Sequence, residues 1–301
     1  MIHFYFGEDD LATRRQVDAV ARKFGEKYGP ENVLKIGARE ATAGEILAEI
    51  VNIGLFANDR LVILAEVFTN KDLAEKLPAV LARVPDETEL IITETRPDKR
   101  TKLYKVLTKD FQSKEFQKPK NLVEFVLNEA HSNGVEIQRA AADELIDYTS
   151  GDTWRIASEI AKFRALDKVI TAENVRQYVE PDLEANAFKL LEDLLNDRKS
   201  LALAELGNLR KIENANKFFG LLASQVFALA AAVAGSDKSS AEISRDMGVH
   251  PFVMSKMTAV ARRVDSEKLR ELCKVIADTD VRLKSTGADD WTLVNLAISR
   301  F

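Results

Sequence analysis

The chain has 301 residues, enough for two or three domains and a sizeable core. Apolar residues make up 46% and charged residues 30%, and the formal charge is -5, so the whole molecule is not a nucleic-acid-binding polycation, although local stretches can be basic. A single cysteine, Cys273, excludes an internal disulfide and a cysteine-rich zinc site, and His3, His131 and His250 stand too far apart in sequence to suggest a metal.

Residues 2–6, apolar and aromatic but for His3, predict a strand. The N-terminus lacks the basic lead and long apolar run of a signal peptide. No apolar run reaches the length of a membrane span; the longest, at 228–234, is alanine-rich and short. A cytoplasmic location without membrane contact is therefore the default. Gly7 ends the strand, and a helix is expected over 11–24 with Asp9 or Asp10 at its N-cap. Strand, glycine turn and helix is how a phosphate-binding loop begins. Such a loop needs several glycines whose N–H groups cradle the anion, then Lys and Ser or Thr. Gly7-Glu8-Asp9-Asp10 offers three carboxylates instead, which suit a helix N-terminus and repel a triphosphate. No Gly-x-x-x-x-Gly-Lys-Ser/Thr occurs in the chain, so no nucleotide cofactor is expected.

A second strand is expected at 33–36. A helix follows over 42–53, capped by Thr42, with an apolar face of Ile46, Leu47, Ile50, Val51 and Ile53 and with Gly54 placed to end it. Residues 61–64 are continuously apolar, as in a strand covered on both faces. Between helix and strand stand Leu55 and Phe56. The helix has its apolar face without them, so they either plug the core or wait for a partner; from the residues alone the plug is the commoner case. One acid, Glu66, follows the strand, too little to hold magnesium, and reads as a surface carboxylate. A helix at 71–81, a turn at Pro85-Asp86 and a strand at 89–94 complete an alternation that argues a mostly parallel sheet with helices on both faces.

From 96 to 120 the chain turns basic. Nine Lys or Arg stand against three acids, a local balance of +6, with Tyr104, Phe111 and Phe116 interleaved. Such a patch either faces phosphate or is a solvated helix face, and the second is the commoner case. Lys118-Pro119-Lys120 reads as a linker. Everything beyond reads helical: 122–132, 140–148, 152–165 with Asp152 as cap, a helix opened by the Thr171 capping pattern, and then 188–195, 201–210, 215–234, 239–247, 251–261, 266–284 and 291–301.

Residues 241–256 resemble a helix-turn-helix, with Gly248 in the turn. A DNA-binding regulator built on it is the alternative reading of the chain. The positions that should meet base edges hold His250, Pro251, Phe252 and Val253, which favours packing over readout. No paired catalytic carboxylates and no Ser/His/Asp or Cys/His set can be argued. Asp278 and Asp280 share a helix with Arg282 and Lys284 and read as ion pairs.

The order of several segments resembles the delta subunit family of bacterial DNA polymerase III clamp loaders. The segments are Gly54-Leu55-Phe56 before Arg60-Leu61-Val62-Ile63-Leu64, then Asp98-Lys99-Arg100-x-Lys102-Leu103, and Gly151-Asp152-Thr153-Trp154-Arg155 leading to Glu159-Ile160-Ala161-Lys162. The stretch 185–193, the Gly248-Val249-His250-Pro251-Phe252 turn and Asp280-x-x-Leu283-Lys284-Ser285 complete the series. The resemblance implies a degenerate AAA+-like α/β domain without a phosphate loop (1–119), an all-α lid (120–182) and an all-α collar for oligomerisation (183–301). It implies a DNA-replication protein that binds the sliding clamp and opens its ring, with Leu55 and Phe56 as the wedge. Its partners would be the clamp, loader subunits of the gamma/tau and delta-prime types, and primer-template DNA. As part of a DNA-directed DNA polymerase holoenzyme it would have no intrinsic activity, no cofactor and no metal. Arg155 falls where active relatives place an arginine near nucleotide and is taken as structural here. Lys99, Arg100 and Lys102 are the candidates for a DNA-facing patch.

Overall fold

The computed structural model describes residues 1–39, 41–51 and 59–301. They form two compact units, Met1–Lys120 and Asn121–Phe301.

In the first unit β1 (Ile2–Phe6), β2 (Val33–Gly37), β3 (Arg60–Ala65), β4 (Thr88–Glu94) and β5 (Gln112–Glu115) form one sheet in the order β2-β3-β4-β1-β5. Every pairing is parallel. Alternate side chains go to opposite faces, and both faces are covered. Phe4, Val62, Leu64, Leu90 and Ile92 pack against α2 (Ala43–Val51), α3 (Lys71–Val80) and α4 (Lys102–Asp110). Tyr5, Leu61, Ile63 and Ile91 pack against Val17 and Phe24 of α1 (Asp10–Tyr28). That two-sided burial is why β3 and β4 read as unbroken apolar runs. Each fully buried side chain of this kind contributes about 1.5–3 kcal/mol.

One strand lies where none was expected. Gln112–Glu115 is polar and exposed at every position, so neither alternation nor an apolar run marks it. It becomes a strand because it pairs with the free edge of β1, from His3↔Gln112 to Phe6↔Glu115.

The second unit is all-helical. The helices α5 (Leu122–Ser132), α6 (Arg139–Tyr148), α7 (Thr153–Phe163) and α8 (Ala172–Tyr178) enclose one apolar cluster around Val126, Leu145, Ile156 and Val175. A larger cluster is built by α9 (Leu183–Leu195), α10 (Lys199–Leu209), α11 (Ala215–Ala234), α12 (Ser240–Met247), α13 (Pro251–Ala261), α14 (Ser266–Ser285) and α15 (Asp290–Arg300). The two expected caps are present: Asp152 accepts from the N–H of Arg155, and Thr171 forms a capping box with Asn174. A further capping box, Ser239 with Glu242, opens α12. The expected start at 188 is too late, because Asp182 accepts from the N–H of Ala185 and starts α9 at Leu183.

One expectation is corrected. The helix α11 is long and apolar enough to cross a membrane, because the alanine run continues back through Phe218, Leu222 and Val226. Those three side chains and Leu229 are buried in the larger cluster, so the apolarity serves the core of this unit.

Candidate functional site

The β1–α1 turn stands where a phosphate loop would. Gly7 has φ +127°, and a Cβ there would lie 2.1 Å from the carbonyl oxygen of Phe116, so only glycine fits. Its N–H donates to Glu94 O at 3.0 Å, and the N–H of Asp9 donates to Phe116 O at 3.1 Å. The Asp9 carboxylate caps α1 by accepting from the N–H of Ala12 at 3.0 Å. Glu8 pairs with Arg96 at 3.1 Å, and Asp10 accepts from the Thr95 hydroxyl at 3.0 Å. An anion entering here would meet three carboxylates and N–H groups already bonded to the chain. Glu66 holds a left-handed backbone at φ 59°, and its carboxylate pairs with Arg39 at 2.9 Å. That agrees with a surface role. Glu94 lies nearby and accepts from the N–H groups of Phe68 and Thr95 at 3.0 and 3.2 Å, while burial pushes its carboxyl above the ordinary range.

The segment expected to carry the wedge joins α2 to β3. Thr42 and Glu45 cap α2 reciprocally, at 2.8 Å from the Thr42 N–H to the carboxylate and 3.3 Å from the Glu45 N–H to the hydroxyl. At its other end Arg60, the first residue of β3, reaches back to α2. Its guanidinium pairs with the Glu49 carboxylate at 3.2 Å, donates to the carbonyls of Glu49 and Ile50, and donates to the Thr88 hydroxyl at 3.1 Å. Arg60 thus satisfies carbonyls in the last turn of α2 and ties them to two strands. Leu55 and Phe56, the candidate wedge, lie outside the described residues. Sequence reading placed Arg60 in the strand segment but missed its anchoring role, whose one signal was a charge at the head of an apolar strand.

The basic segment is less cationic than its composition. Lys99 pairs with Glu115 at 3.1 Å, and Arg100 grips the Asp98 carboxylate through Nε and Nη2, each at 3.0 Å. The Arg100 contacts, side chain and N–H together, hold the Asp98 carboxyl down at about 2. The Glu115 hydrogen bond raises the Lys99 pKa, and the Asp98 contact raises that of Arg100. Lys102 opens α4, whose inner face of Leu103 and Leu107 is buried. Its outer face carries Lys102, Lys105 and Lys109, all exposed and without an ion pair among the described residues. Of the three candidates, then, Lys99 and Arg100 are engaged by acids and Lys102 joins a separate lysine face.

The helix-turn-helix-like pair is engaged within the second unit. Gly248 has φ +66°, the left-handed cap that closes α12. Met254, Met257 and Val260 of α13 are buried in the larger cluster, and Phe252 packs on the smaller one. Arg155 donates to Glu180 O and stands 3.7 Å from the Asp182 carboxylate, a structural tie at the start of α9. Asp280 pairs with Lys284 at 2.6 Å, as an ion pair one helical turn apart. Cys273 packs partly buried against the larger cluster, and burial pushes its thiol up. Among the described residues no three His, Cys, Asp or Glu side chains group as metal ligands.

The family model for the DNA polymerase III delta subunit matches residues 3–117, and that for the delta subunit's C-terminal domain matches residues 184–301. One subunit is thus matched at both ends of the chain, in the right order. The chain belongs to the DNA polymerase III delta subunit family. The DNA polymerase III subunit delta of Bacillus subtilis is 27% identical over 208 residues, which cover 66% of this chain and 60% of that protein. The match therefore spans less than two thirds of that relative's length. The solved Bacillus subtilis DNA clamp loader delta protein shares the fold with a TM-score of 0.71 at 21% identity, over 99% of this chain and 94% of its own. The Thermotoga maritima RuvB Holliday junction branch migration motor reaches a TM-score of 0.39 at 14% identity, over 84% of this chain and 76% of its own, a likeness too low to add to the fold. The delta family is a replication family, and this chain's parallel sheet followed by helices has the fold of its clamp-loader member.

Proposed function

We propose that this delta-family chain binds a sliding clamp and opens its ring, so that a loader assembly can place the clamp on primed DNA. The family match at both ends of the chain carries the reading. The contact is assigned to Leu55 and Phe56. Burying each in a cleft is worth about 1.5–3 kcal/mol, enough for an interface hot spot. Opening is then a population shift: a chain that binds the open ring more tightly than the closed one moves the clamp toward the open form. Residues 1–119 form the clamp-binding domain, 120–182 the lid and 183–301 the collar that joins subunits of the gamma/tau and delta-prime types. The acidic, internally bonded β1–α1 turn supports a subunit without its own nucleotide chemistry, with ATP handled by its partners in the cytoplasm. Lys99, Arg100 and Lys102 stand on the segment assigned to primer-template DNA.

A clamp labelled with a fluorophore pair across its subunit boundary tests the opening step. The chain is expected to separate the pair, and the Leu55→Ala/Phe56→Ala variant to leave it closed. An unchanged pair at saturating wild-type chain would refute ring opening.

A further inference from the structure

The helix-turn-helix-like pair α12–α13 has no part in the contacts proposed above, yet α13 carries a cation held at the junction of the two helical groups. The Lys256 side chain is only 22% exposed. Its Nζ lies 3.0 Å from the Asp147 carboxylate in α6 and 4.1 Å from the centre of the Phe188 ring in α9. It lies 5.3 Å from the Phe252 ring, one turn earlier on α13. A lysine between a carboxylate and two aromatic faces is held by attraction from both sides. Phe252 packs on the cluster of α5–α8, and its ring comes within 3.2 Å of where a Cβ on Gly151 would stand.

The receiving element is the α6–α7 turn. Ser150 and Gly151 both have positive φ, at 49° and 75°. Consecutive residues in that region persist where the surroundings over-determine them. Here the surroundings are the start of α9. The N–H of Asp182 donates to Tyr148 O at 2.9 Å, and the Ser150 hydroxyl donates to the Asp182 carboxylate at 2.7 Å. The same carboxylate caps α9 on Ala185 at 2.7 Å and faces Arg155. The turn thus meets α9 through Asp182 and α13 through Phe252, with Lys256 beside it on Asp147.

We propose that this junction is a latch: α13 plugs Phe252 and Lys256 against the α6–α7 turn, so that α5–α8 and α9–α15 open as one cooperative body. A second helix that would face a DNA groove in a regulator faces the chain's own turn here. A displacement of α9–α15 is then carried into α5–α8 without slack, whatever the chain binds.

Pulse-labelling hydrogen exchange, read by mass spectrometry on the full chain across a urea series, follows peptides of α6–α7 and of α11 in one sample. In the wild-type chain both are expected to lose protection at the same urea concentration. In Phe252→Ala/Lys256→Ala the α6–α7 peptides are expected to open first, exchanging about tenfold faster where α11 is still protected. Lys256→Met keeps the stem against the rings and removes the charge; it is expected to separate the two groups in the same direction by less, and it keeps the test decisive if the double variant fails to fold. Separate transitions in the wild-type chain, or coincident transitions in every variant that folds, would overturn the latch.

Discussion

Arg60 brings together the Glu49 carboxylate, the carbonyls of Glu49 and Ile50 and the Thr88 hydroxyl, from a side chain that is only 17% exposed. Arg60→Met keeps most of the apolar stem and leaves those acceptors without the cation. The expected cost is about 1.5–3 kcal/mol, the range for hydrogen bonds to charged groups, read by urea unfolding. An unchanged midpoint would contradict the anchoring role. Such a role is illegible from sequence, because the acceptors come from a helix ten residues back and a strand 28 residues ahead. Glu94 illustrates the same limit for charge. Burial raises its carboxyl above the ordinary 4.5, so the folded protein holds that proton more tightly than the unfolded chain. The resulting stabilisation is full below 4.5 and is lost as pH rises through the raised value. Glu94→Gln is therefore expected to flatten the fall of unfolding free energy with pH just above 4.5, measured by urea titration at a series of pH values. A slope equal to that of the wild type would contradict it.

Among the elements, the helices were the most legible. Their caps are local, so Asp152 and Thr171 could be read directly and the structure places them as caps. The two-faced burial of β3 was legible for the same reason: the run Leu61-Val62-Ile63-Leu64 is its own signal. The edge strand β5 was not, because it exists only through pairing with β1. Nor was the acid pairing within the basic segment, since Glu115 reaches Lys99 only once β5 has docked. This pairing bears on the DNA proposal. Exposed ion pairs are weak and phosphate can compete for them, but the exposed lysine face of α4 has no such acid partner among the described residues. Reversing Lys102, Lys105 and Lys109 together is expected to reduce the salt slope of loader binding to primed DNA by up to about 0.9 per lost phosphate contact, and more than reversing Lys99 and Arg100. A slope unchanged by both sets would remove DNA from this face. The β1–α1 turn makes a separate demand. Gly7→Ala places a Cβ against Phe116 O at a backbone angle alanine avoids, and is expected to cost about 2 kcal/mol or more by urea unfolding. A neutral result would mean that the β1–β5 contact gives way easily.

At the scale of the whole molecule, the order of segments carried more than any one of them. Each piece that resembled the delta family was short, and their sequence from residue 54 to residue 285 identified it; the family matches at 3–117 and 184–301 agree. The fold followed, with a parallel sheet in Met1–Lys120 and helices in Asn121–Phe301. The proposed wedge is less legible. From the residues alone Leu55 and Phe56 read as a core plug, and only the resemblance turned them outward, toward a partner that no single chain contains. The most direct test is calorimetric titration of the purified chain into a bacterial sliding clamp from the same cell, with Leu55→Ala/Phe56→Ala alongside. Tight binding by the wild-type chain, lost in a double variant whose circular dichroism is unchanged, is the expected result; no binding by the wild-type chain would contradict the function, and binding undiminished in the double variant would contradict the wedge.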